Sequence, residues 1–132
     1  MKIDHVAIAV NNLDEAVKEY KNALGIKDVE FEVVESEGVR VAILHLSNSR
    51  IELMEATRDA SPIKKFLETR GEGLHHIALE TETIEGEVGR MKESGVRFLG
   101  EIRPGSRGTK ITFIHPKSLH GVLAELCSHP EK

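Results

Sequence analysis

A chain of 132 residues, 39% hydrophobic and 30% charged, has room for one compact domain or for two half-size modules sharing a core. Its net charge of −4 at pH 7 gives no electrostatic case for nucleic acid or an anionic membrane as partner. The single cysteine, Cys127, cannot close an internal disulfide, and no apolar run or signal-like N-terminus is present, so a cytoplasmic setting without membrane contact is expected.

Residues 2–10 alternate in the manner of a strand with two useful faces. Asn12 followed by Glu15 reads as a capping box, opening a helix with Leu13, Val17, Tyr20 and Leu24 at helical spacing and Gly25 as its stop. Three strands are predicted next, at about 29–35, 39–46 and 50–55, separated by turns at Glu37-Gly38 and Ser47-Asn48-Ser49. Ser61 as N-cap and Pro62 at the first helical position predict a short connecting helix over about 61–69. The order then repeats. A strand is expected at 74–82, then a helix carrying Ile84, Val88 and Met91 that ends at Gly95, then strands near 96–99, 110–115 and 122–126. The pattern is α+β, βαβββ twice, with module one at about 1–57 and module two at about 72–130.

The repeat carries chemistry with it. Asp4-His5-Val6-Ala7-Ile8-Ala9 is restated by His75-His76-Ile77-Ala78-Leu79-Glu80, and His76 follows His5 by 71 residues. Ile51-Glu52-Leu53-Met54 is echoed by Ala124-Glu125-Leu126-Cys127, an offset of 73 between the glutamates. A lone strand histidine is usually a hydrogen-bonded structural residue, and a lone strand glutamate usually faces solvent. Four such residues in register across a duplication point instead to a shared divalent-metal site. Two imidazole nitrogens and two carboxylate oxygens suit zinc, cobalt, nickel, manganese or iron.

Other residues carry weaker signals. His75 points to the strand face opposite His76, which favours a structural role. His45 shares a face with Val39, Val41 and Ile43. His115-Pro116-Lys117 reads as a conformational turn, His120 and His129 as loop and tail residues, and Cys127 as a small buried apolar group. The loop from Arg103 to Lys110 is basic and glycine-rich, so it fits either a clamp for carboxylate or phosphate or a solvated hairpin connection. It lacks the spacing of a nucleotide-hydrolysing P-loop. Lys64 and Lys65 are expected on the surface of the connecting helix.

The segments Asp4-His5-Val6-Ala7-Ile8-Ala9-Val10, Ile51-Glu52-Leu53-Met54-Glu55, Ser61-Pro62-Ile63, Gly71-Glu72-Gly73-Leu74-His75-His76, Phe113-Ile114-His115-Pro116-Lys117 and Gly121-Val122-Leu123-Ala124-Glu125-Leu126 resemble the vicinal oxygen chelate (glyoxalase/bleomycin resistance) superfamily. Within it the chain is similar, over nearly its whole length, to the methylmalonyl-CoA epimerases. That resemblance implies a single domain over 1–132 in which two βαβββ modules form a cupped mixed sheet around a metal site. It implies His5, Glu52, His76 and Glu125 as metal ligands, with Glu125 doubling as a catalytic acid/base. A divalent ion is expected as cofactor, cobalt ahead of zinc, nickel or manganese, with an acyl-CoA substrate and a homodimeric protein. Some family members have Gln at position 52, and some carry a catalytic Glu where this chain has Val41, which leaves the second acid/base unassigned. Glu55, Glu35, Glu37, His45 and Lys110 are the candidates for it. The rival readings are a glyoxalase I-like lyase acting on a hemithioacetal, an iron extradiol dioxygenase, and a non-enzymatic small-molecule-binding protein of the same fold.

Overall fold

The computed structural model describes residues 1–130. The chain divides into two compact units: His5–His75, and Met1–Asp4 together with the chain from His76 onward. The first contains β1 (Lys2–Ala9) from His5 on, α1 (Leu13–Leu24), β2 (Val29–Val34), β3 (Val39–His45), β4 (Arg50–Ala56) and α2 (Pro62–Arg70). Its strands lie in the order β2-β3-β4-β1, with β1 parallel to β4 and the other pairs antiparallel.

Local chemistry explains the two helices. Asn12 stands in extended geometry at the start of α1, and its side-chain oxygen accepts the Glu15 N–H at 3.0 Å. The Glu55 carboxylate accepts a second orphan donor, the Leu13 N–H, also at 3.0 Å. Gly25 closes the helix in the left-handed region at φ 68°, where a side chain would strain the backbone. In α2, Ser61 caps the Ile63 N–H and Pro62 takes the first position. Replacing Asn12 by Ala is expected to cost about 1 kcal/mol, read as a shift of the urea midpoint at constant slope. An unchanged midpoint would mean that Glu55 suffices as the cap.

The helices cover opposite faces of this sheet. Leu13 and Val17 of α1 pack with Val10, Ala42, Leu44 and Leu53, whereas Ile63 of α2 packs with Ala7, Ala9, Val41, Ile43 and Met54. Leu24 departs from the sequence expectation. It is 55% exposed and lies outside the cluster that Leu13 and Val17 join.

The second unit contains the rest of β5 (Gly73–Glu80), then α3 (Ile84–Glu93), β6 (Arg103–Pro104), β7 (Lys110–Ile114) and β8 (Ala124–Ser128). Its strands lie in the order β5-β8-β7-β6, with β5 parallel to β8, so its topology repeats that of the first unit. Ile84 and Val88 of α3 cover Ile114, Ala124 and Leu126. The strand expected at 96–99 is reduced to a bridge between Phe98 and Ile114. Gly100, at φ 101°, turns the chain away there, and pairing with β7 resumes only at Arg103–Pro104. Pro104 has no N–H to donate, which suits this short edge strand. Among the described residues, no helix is long and apolar enough to cross a membrane.

Candidate metal centre

Each unit places one histidine and one glutamate together by the same register. In the first, Ala7 of β1 lies opposite Glu52 of β4. His5 is two residues before Ala7 and therefore on the same sheet face. In the second, Ala78 of β5 lies opposite Glu125 of β8, and His76 is two residues before Ala78. Both pairs sit on the sheet face opposite the first helix of their repeat, since Leu53 and Leu126, the neighbours of the glutamates, pack under α1 and α3. Ala7 and Ala78 are fully buried, and their methyl groups leave the diagonal between His and Glu unobstructed.

The distances suit coordination. His5 Nδ1 stands 3.3 Å from Glu52 Oε2, and His76 Nε2 stands 3.9 Å from Glu125 Oε2. Bonds from an ion to His nitrogen or carboxylate oxygen are about 2.0–2.2 Å, so two donors on one ion stand about 3–4 Å apart. All four side chains are buried: His5 is 4%, Glu52 4%, His76 5% and Glu125 7% exposed. Burying imidazoles and carboxylates together is costly unless they are paired or hold a cation, so the donor set fits a divalent ion.

Two neighbours of these pairs were not picked out from the sequence. Arg50 Nη2 lies 3.7 Å from Glu52 Oε2, with its side chain 16% exposed. The available signal was its spacing, two residues before Glu52 on the same strand face. Phe113 faces Glu125 across β7 and β8, and its ring meets His76 edge-on at 5.2 Å. The Arg103 guanidinium lies 5.3 Å from the centre of the same ring. An imidazole packed against a fixed ring has fewer orientations open to it, which helps preset a ligand.

The remaining candidates are accounted for individually. Burial, reinforced by the nearby Arg70 charge, pushes the His75 imidazole down to about 4, and its ring packs edge-on to Phe66 at 4.8 Å. It is a neutral structural residue at physiological pH. His45 shares the sheet face of Glu52 but is engaged by Glu30 at 2.7 Å. Glu55 lies on the other face of β4, bound to the start of α1. Val41 is 2% exposed within the apolar cluster under α2. Glu35 and Glu37 lie in a single helical turn after β2, with Glu35 exposed and Glu37 half-buried. Lys110 pairs with Glu85 at 3.0 Å.

The His115-Pro116-Lys117 segment is a turn in which His115 Nδ1 accepts the Lys117 N–H at 3.0 Å, a conformational role. Lys65 is exposed and Lys64 half-buried on α2. In the basic loop, Gly105 is required by close approach. A Cβ there would lie 2.6 Å from Ile111 Cγ2 and 2.8 Å from Thr109 Oγ1.

Comparison with known proteins shows the family. The profile of the Glyoxalase/Bleomycin resistance protein/Dioxygenase superfamily matches residues 4–113. The ethylmalonyl-CoA/methylmalonyl-CoA epimerase of Cereibacter sphaeroides is 40% identical over 128 residues, covering 95% of this chain and 96% of that protein. The mitochondrial methylmalonyl-CoA epimerase of Homo sapiens is 38% identical over 127 residues, covering 95% of this chain and 72% of that protein. The solved structure of a variant Streptomyces coelicolor methylmalonyl-CoA epimerase, in complex with 2-nitronate-propionyl-CoA, is 40% identical. It superimposes with a TM-score of 0.92, covering 99% of both chains. The chain therefore belongs to the glyoxalase/bleomycin resistance protein/dioxygenase superfamily and, within it, to the methylmalonyl-CoA epimerase family.

Proposed function

We propose that this protein is a metal-dependent epimerase that interconverts the two C2 epimers of methylmalonyl-CoA, acting as a single-domain, cytoplasmic homodimer. The observation that carries this reading is the repeated register that sets a buried His diagonally from a buried Glu, in a chain whose full-length relatives include methylmalonyl-CoA epimerases. In this reading His5, Glu52, His76 and Glu125 are the ligands of one divalent ion, cobalt being our first choice and zinc, nickel or manganese the alternatives.

The chemistry requires removal of the proton between a thioester and a carboxylate, and its return to the opposite face of the carbon. A bound divalent ion supplies Lewis-acid stabilisation of the negative charge that develops on the substrate oxygens. The chain's own part is to hold the two imidazoles in fixed orientation, exclude water and move the proton. His76 is held by Phe113, and Glu125, 3.9 Å from His76 Nε2, is the carboxylate we assign to proton transfer. Glu52 differs in having the Arg50 guanidinium 3.7 Å away, an ion-pair partner that suits it to stay a ligand. The exposed Arg107, with its neighbours in the loop from Arg103 to Lys110, supplies positive charge for part of the CoA moiety.

Proton NMR in heavy water on one epimer of methylmalonyl-CoA tests this directly, with metal-stripped protein and then with added cobalt. The expected result is loss of the C2 proton and appearance of the other epimer, both dependent on metal. Exchange no faster than the uncatalysed background, with metal bound, would overturn the assignment.

A further inference from the structure

The unit that runs from His76 brings three different donors together. Asp4, at the start of β1, accepts a hydrogen bond from His129 Nε2 on its Oδ1 at 2.6 Å. Cys127 of β8 completes the group, and one donor atom from each of the three residues lies within 4.8 Å of the other two. Asp4 is 6% and Cys127 1% exposed, whereas the His129 side chain is 28% exposed. The end of β8 is pinned by Ser128, whose hydroxyl donates to the Thr81 carbonyl at 2.7 Å, so His129 emerges from a fixed point.

We propose that Asp4, Cys127 and His129 form a second divalent-metal site, of the zinc or cobalt type, in which the sulfur of Cys127 is the distinguishing donor. The donor set is one sulfur, one nitrogen and one oxygen, which suits a borderline ion and disfavours magnesium or calcium. A thiolate and a carboxylate together neutralise a dication, so the loaded site carries no net charge into a buried position. Zinc bonds of about 2.3 Å to sulfur and about 2.0–2.2 Å to nitrogen and oxygen set donors about 3–4 Å apart, so the Asp4–His129 hydrogen bond at 2.6 Å has to open to admit the ion. The half-exposed imidazole supplies the entry path. Three protein donors leave a fourth position for water.

Sulfur makes the test selective, because the His–Glu centre contains none. The full-length protein, stripped of metal, is titrated with cobalt and followed in the near ultraviolet for thiolate-to-cobalt charge transfer, with bound metal counted after dialysis. The expected result is two equivalents, one of which carries the charge-transfer band. Cys127→Ser removes the band and one equivalent. Cys127 is buried, so His129→Ala, at a half-exposed position, serves as the second variant and is expected to weaken the band-bearing site at least tenfold, roughly. Two bound equivalents without the band would overturn the proposal. So would a band of unchanged affinity in His129→Ala, which would mean adventitious thiol binding only. The band is independent of turnover, so failure of the epimerase assignment and failure of this site read out separately.

Discussion

Glu125→Gln is expected to lower the turnover of methylmalonyl-CoA epimerisation by about 10²–10⁴-fold, the range associated with loss of a positioned acid or base. The amide keeps the length of the side chain and one oxygen donor, but it cannot accept and return a proton at the working pH. Glu125 is buried beside His76, so neither solvent nor an exposed carboxylate can easily take its place. The informative control is Glu52→Gln, its equivalent in the other repeat. With Arg50 alongside and an oxygen donor retained, that variant is expected to lose about tenfold at most, near 1 kcal/mol in the barrier. Steady-state kinetics on both variants, with metal content measured on the same samples, separates proton transfer from ligation. Normal turnover in Glu125→Gln with metal still bound would remove its catalytic role.

The second large effect concerns the scaffold. Leu53 is fully buried on the α1 side of β4, directly beside Glu52 in the chain, and packs with Val10, Leu13, Val17, Ala42 and Leu44. Leu53→Ala should destabilise the protein by about 3–5 kcal/mol, through lost transfer energy and the cavity left behind. That is a large part of the roughly 5–15 kcal/mol that holds a typical domain folded. Leu24→Ala, at a position 55% exposed, should stay within about 0.5 kcal/mol of the parent. Both values come from denaturant unfolding monitored by circular dichroism. A loss below about 1 kcal/mol at Leu53 would mean that the surrounding side chains close the cavity.

Leu24 also shows how far periodicity reaches. Leu13, Val17 and Leu24 fit one helical spacing, yet the first two are buried and the third is not, because spacing does not say which residues of a helix find a packing partner. The segment 96–99 had strand-like residues, but the turn at Gly100 left it a single bridge. His129 read as a tail residue, and its partner Asp4 lies at the other end of the chain, a proximity that no local pattern encodes. The same holds for Phe113 against His76 and for Arg50 beside Glu52, where the signal was at best a two-residue spacing on one strand face. The caps on α1 and α2 were legible because capping depends on residues two or three apart.

By itself, the amino-acid sequence determined the order βαβββ twice, the helix starts at Asn12 and Ser61, and the equivalence of His5 with His76 and of Glu52 with Glu125. Those properties are local or are carried by the repeat. Only the tertiary structure decided that Ala7 faces Glu52 and Ala78 faces Glu125, that Glu55 lies on the wrong face of β4 to join them, and that Asp4 meets His129. Strand register between distant segments is settled by which faces are buried, and a shift of one residue would have sent every one of these side chains to the opposite side of its sheet.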